Sequence, residues 1–396
     1  MKNLAIAEYF INAAKALLLL SFSKYLYDQT GEIWSITVIF LGELISAAVL
    51  PLLVGRKVDQ SGIKSVLIIA ALSHPLLTWL GAGYAWQVSA STASILILSV
   101  LLSMMWPLMK MSVFVMTPLL TEAKFLEKHN SMLTFAMQAG QFSGMGLAGW
   151  LIFNYTYLDV LIAASVIFTL SFIFYFQAAA LLPRFSNPGH AQTSANSVTA
   201  LAKASKPYLL VLMLSQFDFA SVAIFNILLA AVVAMLFEGN SYWLAGLDAV
   251  YAFGALAGGL IVARGWLKRS CNFKDTVLVQ VCFILYLLAS FIDSARFLMP
   301  VLILCMGLLQ SFASIYWRTH LQTELPAQLM GRLAGLRCLI SSAYIGVVAA
   351  LVSYAHQYGF QLAIVVSVII MSTQTILLIV RSVYARKYFT VPNYQE

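Results

Sequence analysis

Residues 55–64 read Gly55-Arg56-Lys57-Val58-Asp59-Gln60-Ser61-Gly62-Ile63-Lys64, a short charged segment between apolar runs at 34–54 and 65–86. Each flanking run is close to the ~20 residues a helix needs to cross the hydrocarbon core of a bilayer. A brief polar stretch between two such runs reads as a loop joining two membrane-spanning helices.

The composition agrees. Hydrophobic residues make up 61% of the 396-residue chain and charged residues only 10%, with a mean hydropathy of +0.88. A soluble domain carries about 25% charged residues, so the chain belongs in lipid, and the bilayer is its first partner. At ~20 residues per span its length allows about twelve spans. The net charge of +8 reads as the cytoplasmic bias of Lys and Arg, and no nucleic-acid partner is expected. Cys271, Cys282, Cys305 and Cys338 form no C-x-x-C pair. They read as structural thiols, and neither a metal site nor a cofactor is expected. The apolar stretch Leu4–Leu26 has no short h-region followed by a small-residue cleavage site, so it reads as a retained first helix.

Apolar runs lie near 4–27, 34–54, 65–86, 92–117, 131–153 and 157–181, then near 207–236, 241–263, 275–292, 297–319, 333–355 and 360–382. Between the sets lies 183–206, with Pro183, Asn187-Pro188-Gly189 and a Ser/Thr/Ala-rich stretch, a linker composition. The expected layout is an all-α membrane protein of twelve transmembrane helices: a six-helix bundle over 1–182, a cytoplasmic linker over 183–206, and a second bundle over 207–396 with a short tail. With the N-terminus inside, the inner loops hold most of the Lys and Arg, among them Arg56, Lys57, Lys64, Lys124, Lys128, Lys268, Arg269 and Arg332. The outer loops hold Arg296 and the acids Asp28, Glu32, Asp159, Glu238 and Asp293. This asymmetry puts both termini in the cytoplasm. A weak repeat links the halves: Thr121–Asn130 leads into the fifth run and Thr323–Arg332 into the eleventh.

The spacing of Gly55, Asp59, Gly62 and Lys64 resembles the G-x-L-A-D-x-x-G-R-K loop between helices two and three of major facilitator transporters. Tyr27-Asp28-Gln29-Thr30-Gly31, the Pro118–Asn130 connector, and Glu324, Pro326, Gly331 and Arg332 resemble parts of that superfamily's drug:proton antiporter group, which includes macrolide-efflux proteins and the enterobactin exporter. The resemblance implies the major facilitator fold, alternating access, no enzymatic activity and a place in the bacterial inner membrane. Gly140, Gly144 and Gly149 match the group's helix-five signature G-x-x-x-G-P-x-x-G-G, with Met145 in place of its Pro and Ala148 in place of a Gly. The family meaning is export. The physical alternative is close helix packing through small residues, which is also how Gly254 and Gly258 read. Gly144-Met-Gly146-Leu-Ala-Gly149 also spells G-x-G-x-x-G, but it lies inside an apolar helix and cannot open a dinucleotide site.

An ionisable residue within a span is costly and marks a functional site by default. Glu8, Asn12 and Lys15 share one face of the first helix. Lys15 stands where many relatives carry an acid, which points to an anionic substrate. Ser103, Trp106, Lys110 and Phe114 form a stripe on helix four, and Ser215, Asp218, Val222 and Asn226 one on helix seven with Gln216 beside it. Helix ten ends in Gln310, Ser314, Trp317 and Arg318. The resemblance makes helices one, four, seven and ten the lining of a central cavity. Lys15 and Lys110 would hold the acidic groups of a small-molecule substrate. Asn12, Gln216, Asn226 and Gln310 would add polar contacts, and Tyr9, Trp106 and Trp317 apolar ones. Lys110 and Arg318 could instead snorkel to the membrane edge. Glu43 and Asp218 are the proton-coupling candidates, with a fixed pair such as Asp218 with Lys15 as the alternative. His74, next to Pro75, reads as a packed, hydrogen-bonded histidine. Asp59 can accept from the N-terminus of a neighbouring helix, and with Gly55, Arg56, Gly62 and Lys64 it would form a gating loop or merely set topology.

The function that follows is proton-coupled export, by a monomer, of a small amphipathic or anionic metabolite such as a carboxylate siderophore or a drug. Import of a similar solute, such as an iron–siderophore complex, and a non-transporting receptor or scaffold are the alternatives.

Overall fold

A computed structural model describes residues 1–30, 34–88, 91–182, 198–238, 241–267 and 270–388. Gly31, Glu32, most of the linker, and Lys268 with Arg269 lie outside the described residues. What is described is helical throughout. Hydrocarbon offers backbone groups no partner, so each apolar run closes its hydrogen bonds within itself. The helices are α1 (Lys2–Thr30), α2 (Trp34–Ser61), α3 (Lys64–Gln87), α4 (Thr92–Leu119), α5 (Leu126–Asn154), α6 (Tyr157–Ala180), α7 (Val198–Leu214), α8 (Phe217–Leu236), α9 (Ser241–Ala263), α10 (Phe273–Ala289), α11 (Met299–Glu324), α12 (Met330–Gln357) and α13 (Phe360–Tyr388). Capping boxes open α4 at Ser91, α6 at Thr156 and α10 at Asn272.

Among the described residues, ten spans are long and apolar enough to cross a membrane. The two expected spans missing from that number are α5 and α10. α5 opens with Glu127 and Lys128 and carries glutamines and glycines along its length. α10 has 17 helical residues, about 25 Å at 1.5 Å per residue.

The structure corrects two local expectations. The segment 55–64 is not a loop: α2 runs through Ser61, so Gly55, Arg56 and Asp59 are helical. The turn shrinks to Gly62, at φ +81°, and Ile63 ahead of Lys64, the first residue of α3. The seventh run is two helices, α7 and α8, parted at Ser215 and Gln216, and α7 already begins at Val198 inside the expected linker. At the break, side chains take over the carbonyl left free at the end of α7, and another helix holds the start of α8. Ser215 and Gln216 donate to Leu212 O at 2.8 and 2.9 Å, and Gln280 donates to Phe217 O at 3.0 Å.

The chain packs as two compact units. The first holds Met1–Leu210, Val262–Trp266 and Arg318–Ala343. In it α1 lies against α5 and α6, α3 against α4 and α6, and α2 against α4. Gly140 and Gly144 let α5 approach the α1 backbone: a methyl on either would strike the carbonyl oxygen of Tyr9 or Ala13. Gly149, expected in the same role, has open space around its α-carbon, so it takes no part in the contact. The second unit is built from Val211–Ile261, Leu267–Trp317 and the chain from Tyr344. Its core gathers Phe225, Leu228, Phe283, Tyr286, Met306 and Ile364, and Gly254 and Gly258 there meet the carbonyl oxygens of Leu304 and Leu308.

The two repeated connectors share a shape. Ala123–Phe125 and Ala327–Leu329 each form one 3-10 turn leading directly into α5 and α12.

Candidate functional site

The interior of the first unit concentrates charge. Its centre is Trp106 on α4, 8% exposed. Lys15 Nζ from α1 lies 4.0 Å from the indole centroid and Lys110 Nζ, one turn along α4, lies 4.5 Å from it. A cation over an indole face gains ~0.5–2 kcal/mol, more as water is excluded. Each ammonium also has a carboxylate. Lys15 Nζ is 2.7 Å from Glu43 Oε1 of α2, and Lys110 Nζ is 3.4 Å from Glu8 Oε2 of α1.

Glu8 is buried and fully engaged. The Tyr175 hydroxyl on α6 donates to its Oε1 at 2.6 Å, and Asn12 Nδ2 donates to its Oε2 at 3.2 Å. Lys110 further donates to Asn12 Oδ1 at 3.3 Å and lies 3.4 Å from Met137 Sδ. Lys110 therefore turns inward to Glu8 and does not snorkel. Arg318, near the end of α11, adds its field to Glu8. This cluster holds three cations, Lys15, Lys110 and Arg318, against the carboxylates Glu8 and Glu43.

A partly open pocket lies beside the Lys15–Glu43 pair. Its polar lining is Lys15, Glu43, His74, Ser99 and Ser103, and its apolar walls include Leu18, Phe22, Trp106 and Phe168. His74 is packed, as expected: it is 2% exposed, its Nδ1 lies 2.8 Å from Ala70 O, and its ring sits against Trp106 and Phe168. Its Nε2, however, has no hydrogen-bond partner.

The remaining expected residues fare differently. Glu43 is held in an ion pair by Lys15. In the second unit Asp218 is buried and accepts from Gln310 Nε2 at 3.2 Å and from the Phe219 amide at 3.0 Å. Gln216, expected to touch substrate, is buried and occupied with the helix break: its Nε2 bonds Leu212 O and Ser215 Oγ. Trp317, expected to supply apolar contact, is fully buried in a cluster with Leu214, Phe217 and Leu378 and is a packing residue. Asn226 is exposed, and Tyr9 is half-buried in an edge contact with Phe10.

A second polar site in the first unit joins α2 to the start of α12. Asp59 Oδ1 accepts from the Gly331 amide at 2.6 Å, and its Oδ2 from Arg332 Nε at 2.8 Å and the Arg332 amide at 3.3 Å. The carboxylate sits at the positive end of α12, where dipole and orphan amides favour an anion. Both backbones must be bare to come this close: a methyl on Gly55 would lie 2.6 Å from Gly331 O, and one on Gly335 would lie 2.5 Å from Pro51 O. Also within the first unit, Asn130 Nδ2 donates to Gln322 Oε1 at 2.7 Å, and Gln322 Nε2 to Phe114 O at 2.7 Å. Arg56 and Lys64 are exposed.

Tyr175, Glu8 as a partner of Lys110, and Gln280 escaped the sequence reading. The signal available was a phenol or amide flanked by apolar residues within a helix. Among the described residues no group of three or more His, Cys, Asp or Glu is placed to hold a metal ion.

No family model and no curated protein sequence matches the chain, but solved structures do. A bacterial homologue of the iron transporter ferroportin, in an outward-facing state, superposes with a TM-score of 0.78 at 15% identity, over 96% of this chain and 99% of that one. The human organic anion transporter MFSD10 does so at 0.72 and 13%, over 95% and 98%. The major facilitator superfamily transporter FucP, in its outward conformation, does so at 0.68 and 11%, over 96% and 98%. Identities this low speak to fold alone. Apolar helices in this number and a backbone that follows these structures from end to end make the chain a multi-pass membrane protein with the major facilitator fold.

Proposed function

We propose that the protein is a secondary transporter that works by alternating access and moves a small anionic or amphipathic solute coupled to protons. It would act as a monomer in the bacterial inner membrane, with both termini cytoplasmic. The observation that carries this reading is the pair of ion pairs, Lys15–Glu43 and Lys110–Glu8, around Trp106 inside apolar helices. Ionised groups at membrane depth cost several kcal/mol, and a scaffold that moves nothing has no use for them. The excess of cations over carboxylates supports an anionic solute. The solved structures that share the fold are described as transporters, one of them of organic anions.

In this reading Lys15 holds the acidic group of the solute, Lys110 stays with Glu8 and adds its positive field, Trp106 contacts the apolar part of the solute, and Glu43 or Asp218 carries the proton. The halves 1–182 and 207–396 would rock about the binding site. The bonds from Asp59 to Gly331 and Arg332 would break and reform in each cycle. The helix-five signature implies export in the manner of the drug:proton antiporter group. The Lys15–Glu43 pair favours the second reading, uptake together with protons, because an anion can claim Lys15 only when Glu43 gives it up.

The test is Lys15→Ala in liposomes, comparing an anionic solute with its neutral amide analogue. A lost charge-assisted contact is worth ~1.5–3 kcal/mol, so anion transport should fall about tenfold or more while transport of the amide holds. Equal loss for both would reject the anionic site. Loss of the protein from cells should lower the internal solute if it imports and raise it if it exports.

A further inference from the structure

We infer that the pocket beside Trp106 binds a hydroxylated aromatic carboxylate together with a proton on Glu43, so that anion and proton bind cooperatively and are carried in the same direction. The transport clause rests on the reading above; the binding clause does not.

The pocket offers an anion one accessible cation. Of the ammonium groups near Trp106, Lys110 is engaged by Glu8 and Asn12, while Lys15 lines the cavity together with its partner Glu43. A ligand carboxylate at Lys15 would lie beside the Glu43 carboxylate. Two carboxylates in one site cannot both stay ionised at low cost. The resolution is that Glu43 takes a proton from water. Its contact with Lys15 passes to the ligand oxygen, and no covalent bond of the ligand changes.

Among the described residues, other charges near Glu43 do not supply an alternative: Glu8 is held by Lys110, Tyr175 and Asn12, and Arg318 acts on Glu8. α3 contributes His74, α4 contributes Lys110 beyond the indole, and the pocket residue from α6 is Phe168. The cations of α12 nearest α2, Arg332 and Arg337, sit at Asp59 and over Phe114. Asp59 is some 24 Å further along α2 at 1.5 Å per residue.

A second feature points to a ligand. Ala70 O can only accept, so His74 Nδ1 must carry the hydrogen of that bond. In the neutral ring Nε2 is then a bare acceptor, and this one is buried without a partner in a pocket-lining residue. A ligand hydroxyl satisfies it. The aromatic and aliphatic walls suit a flat ring.

Linkage fixes the sign of the coupling. If the anion raises proton affinity, the proton raises anion affinity by the same factor. A site that fills with both moves both one way. Proton exchange would require that solute and proton displace each other, as a cation competing for Glu43 would.

The experiment uses the full-length purified protein in detergent with 4-hydroxybenzoate, and 4-hydroxybenzamide as the uncharged control. Titration in weak buffer should show saturable binding with uptake of close to one proton per anion. Affinity should fall about tenfold per pH unit where Glu43 is ionised in the empty protein. Glu43→Gln should bind the anion without proton uptake and without that pH dependence, and the amide should take up no proton in either protein. The wild-type proton count needs no variant, so it stands even if Glu43→Gln folds poorly. Absence of saturable binding, proton release, a proton-neutral wild type, or uptake that persists in Glu43→Gln and disappears in His74→Gln would each overturn the inference. Because the assay reads binding alone, a protein that passes here and moves nothing in liposomes would refute transport and leave the linkage intact.

Discussion

Lys15 shows how far a single residue could be read. Its place in the middle of an apolar run marked it as functional. Its partner could not be found the same way, because Glu43 lies 28 residues away on a helix whose rotation about its own axis no periodicity specifies. The same holds for Lys110 and Glu8, 102 residues apart. Asp59 was easier, since a carboxylate at the end of one helix has a natural receptor in the amides that open another. That contact makes a residue-scale prediction. The Asp59 side chain is 3% exposed and that of Arg332 11%, so removing the negative charge breaks a buried ion pair and leaves the α12 amides a weaker acceptor. Asp59→Asn should cost about 3 kcal/mol, read as a lower midpoint of thermal unfolding in detergent. An unchanged midpoint would mean that the contact holds nothing together.

At the scale of elements, hydropathy located the helices, and the fine structure went unseen where side chains overrule it. The break between α7 and α8 contains neither Gly nor Pro. Ser215 and Gln216 satisfy the Leu212 carbonyl that it frees, and Gln280, on another helix, ties down the first residue of α8 through Phe217 O. The loop at 55–64 misled in the opposite sense: its charges read as solvent-exposed turn, yet they extend α2 by two turns beyond the apolar run. The glycines of α5 divide along the same line. Their spacing announced a close contact, but only the partner helix says which of them make it. Gly144→Ala pushes a methyl into the Ala13 carbonyl and should cost ~1–3 kcal/mol as overpacking. Gly149→Ala, with open space ahead of it, should leave stability unchanged or slightly raised. Comparison of the two midpoints checks this, and equal losses would refute the α1–α5 contact as described.

For the whole molecule, the twelve runs and the repeated connectors were legible because lipid imposes a coarse rule on every segment. The fold resemblance carried by Gly55, Asp59 and Gly62 agrees with the solved structures, whereas cargo and direction were legible only as a list of charged residues. Geometry turned that list into two ion pairs around an indole, and in the reading proposed above an anion and a proton meet at Lys15 and Glu43. The central claim is that this cluster couples a proton to the movement of an anion. The direct measurement is flux of 4-hydroxybenzoate into liposomes carrying the purified protein, with the outside made acid. The account predicts uptake above equilibrium that collapses with the pH gradient and is lost in Glu43→Gln. Flux that ignores the gradient, or a Glu43→Gln variant that still concentrates the anion, would contradict it.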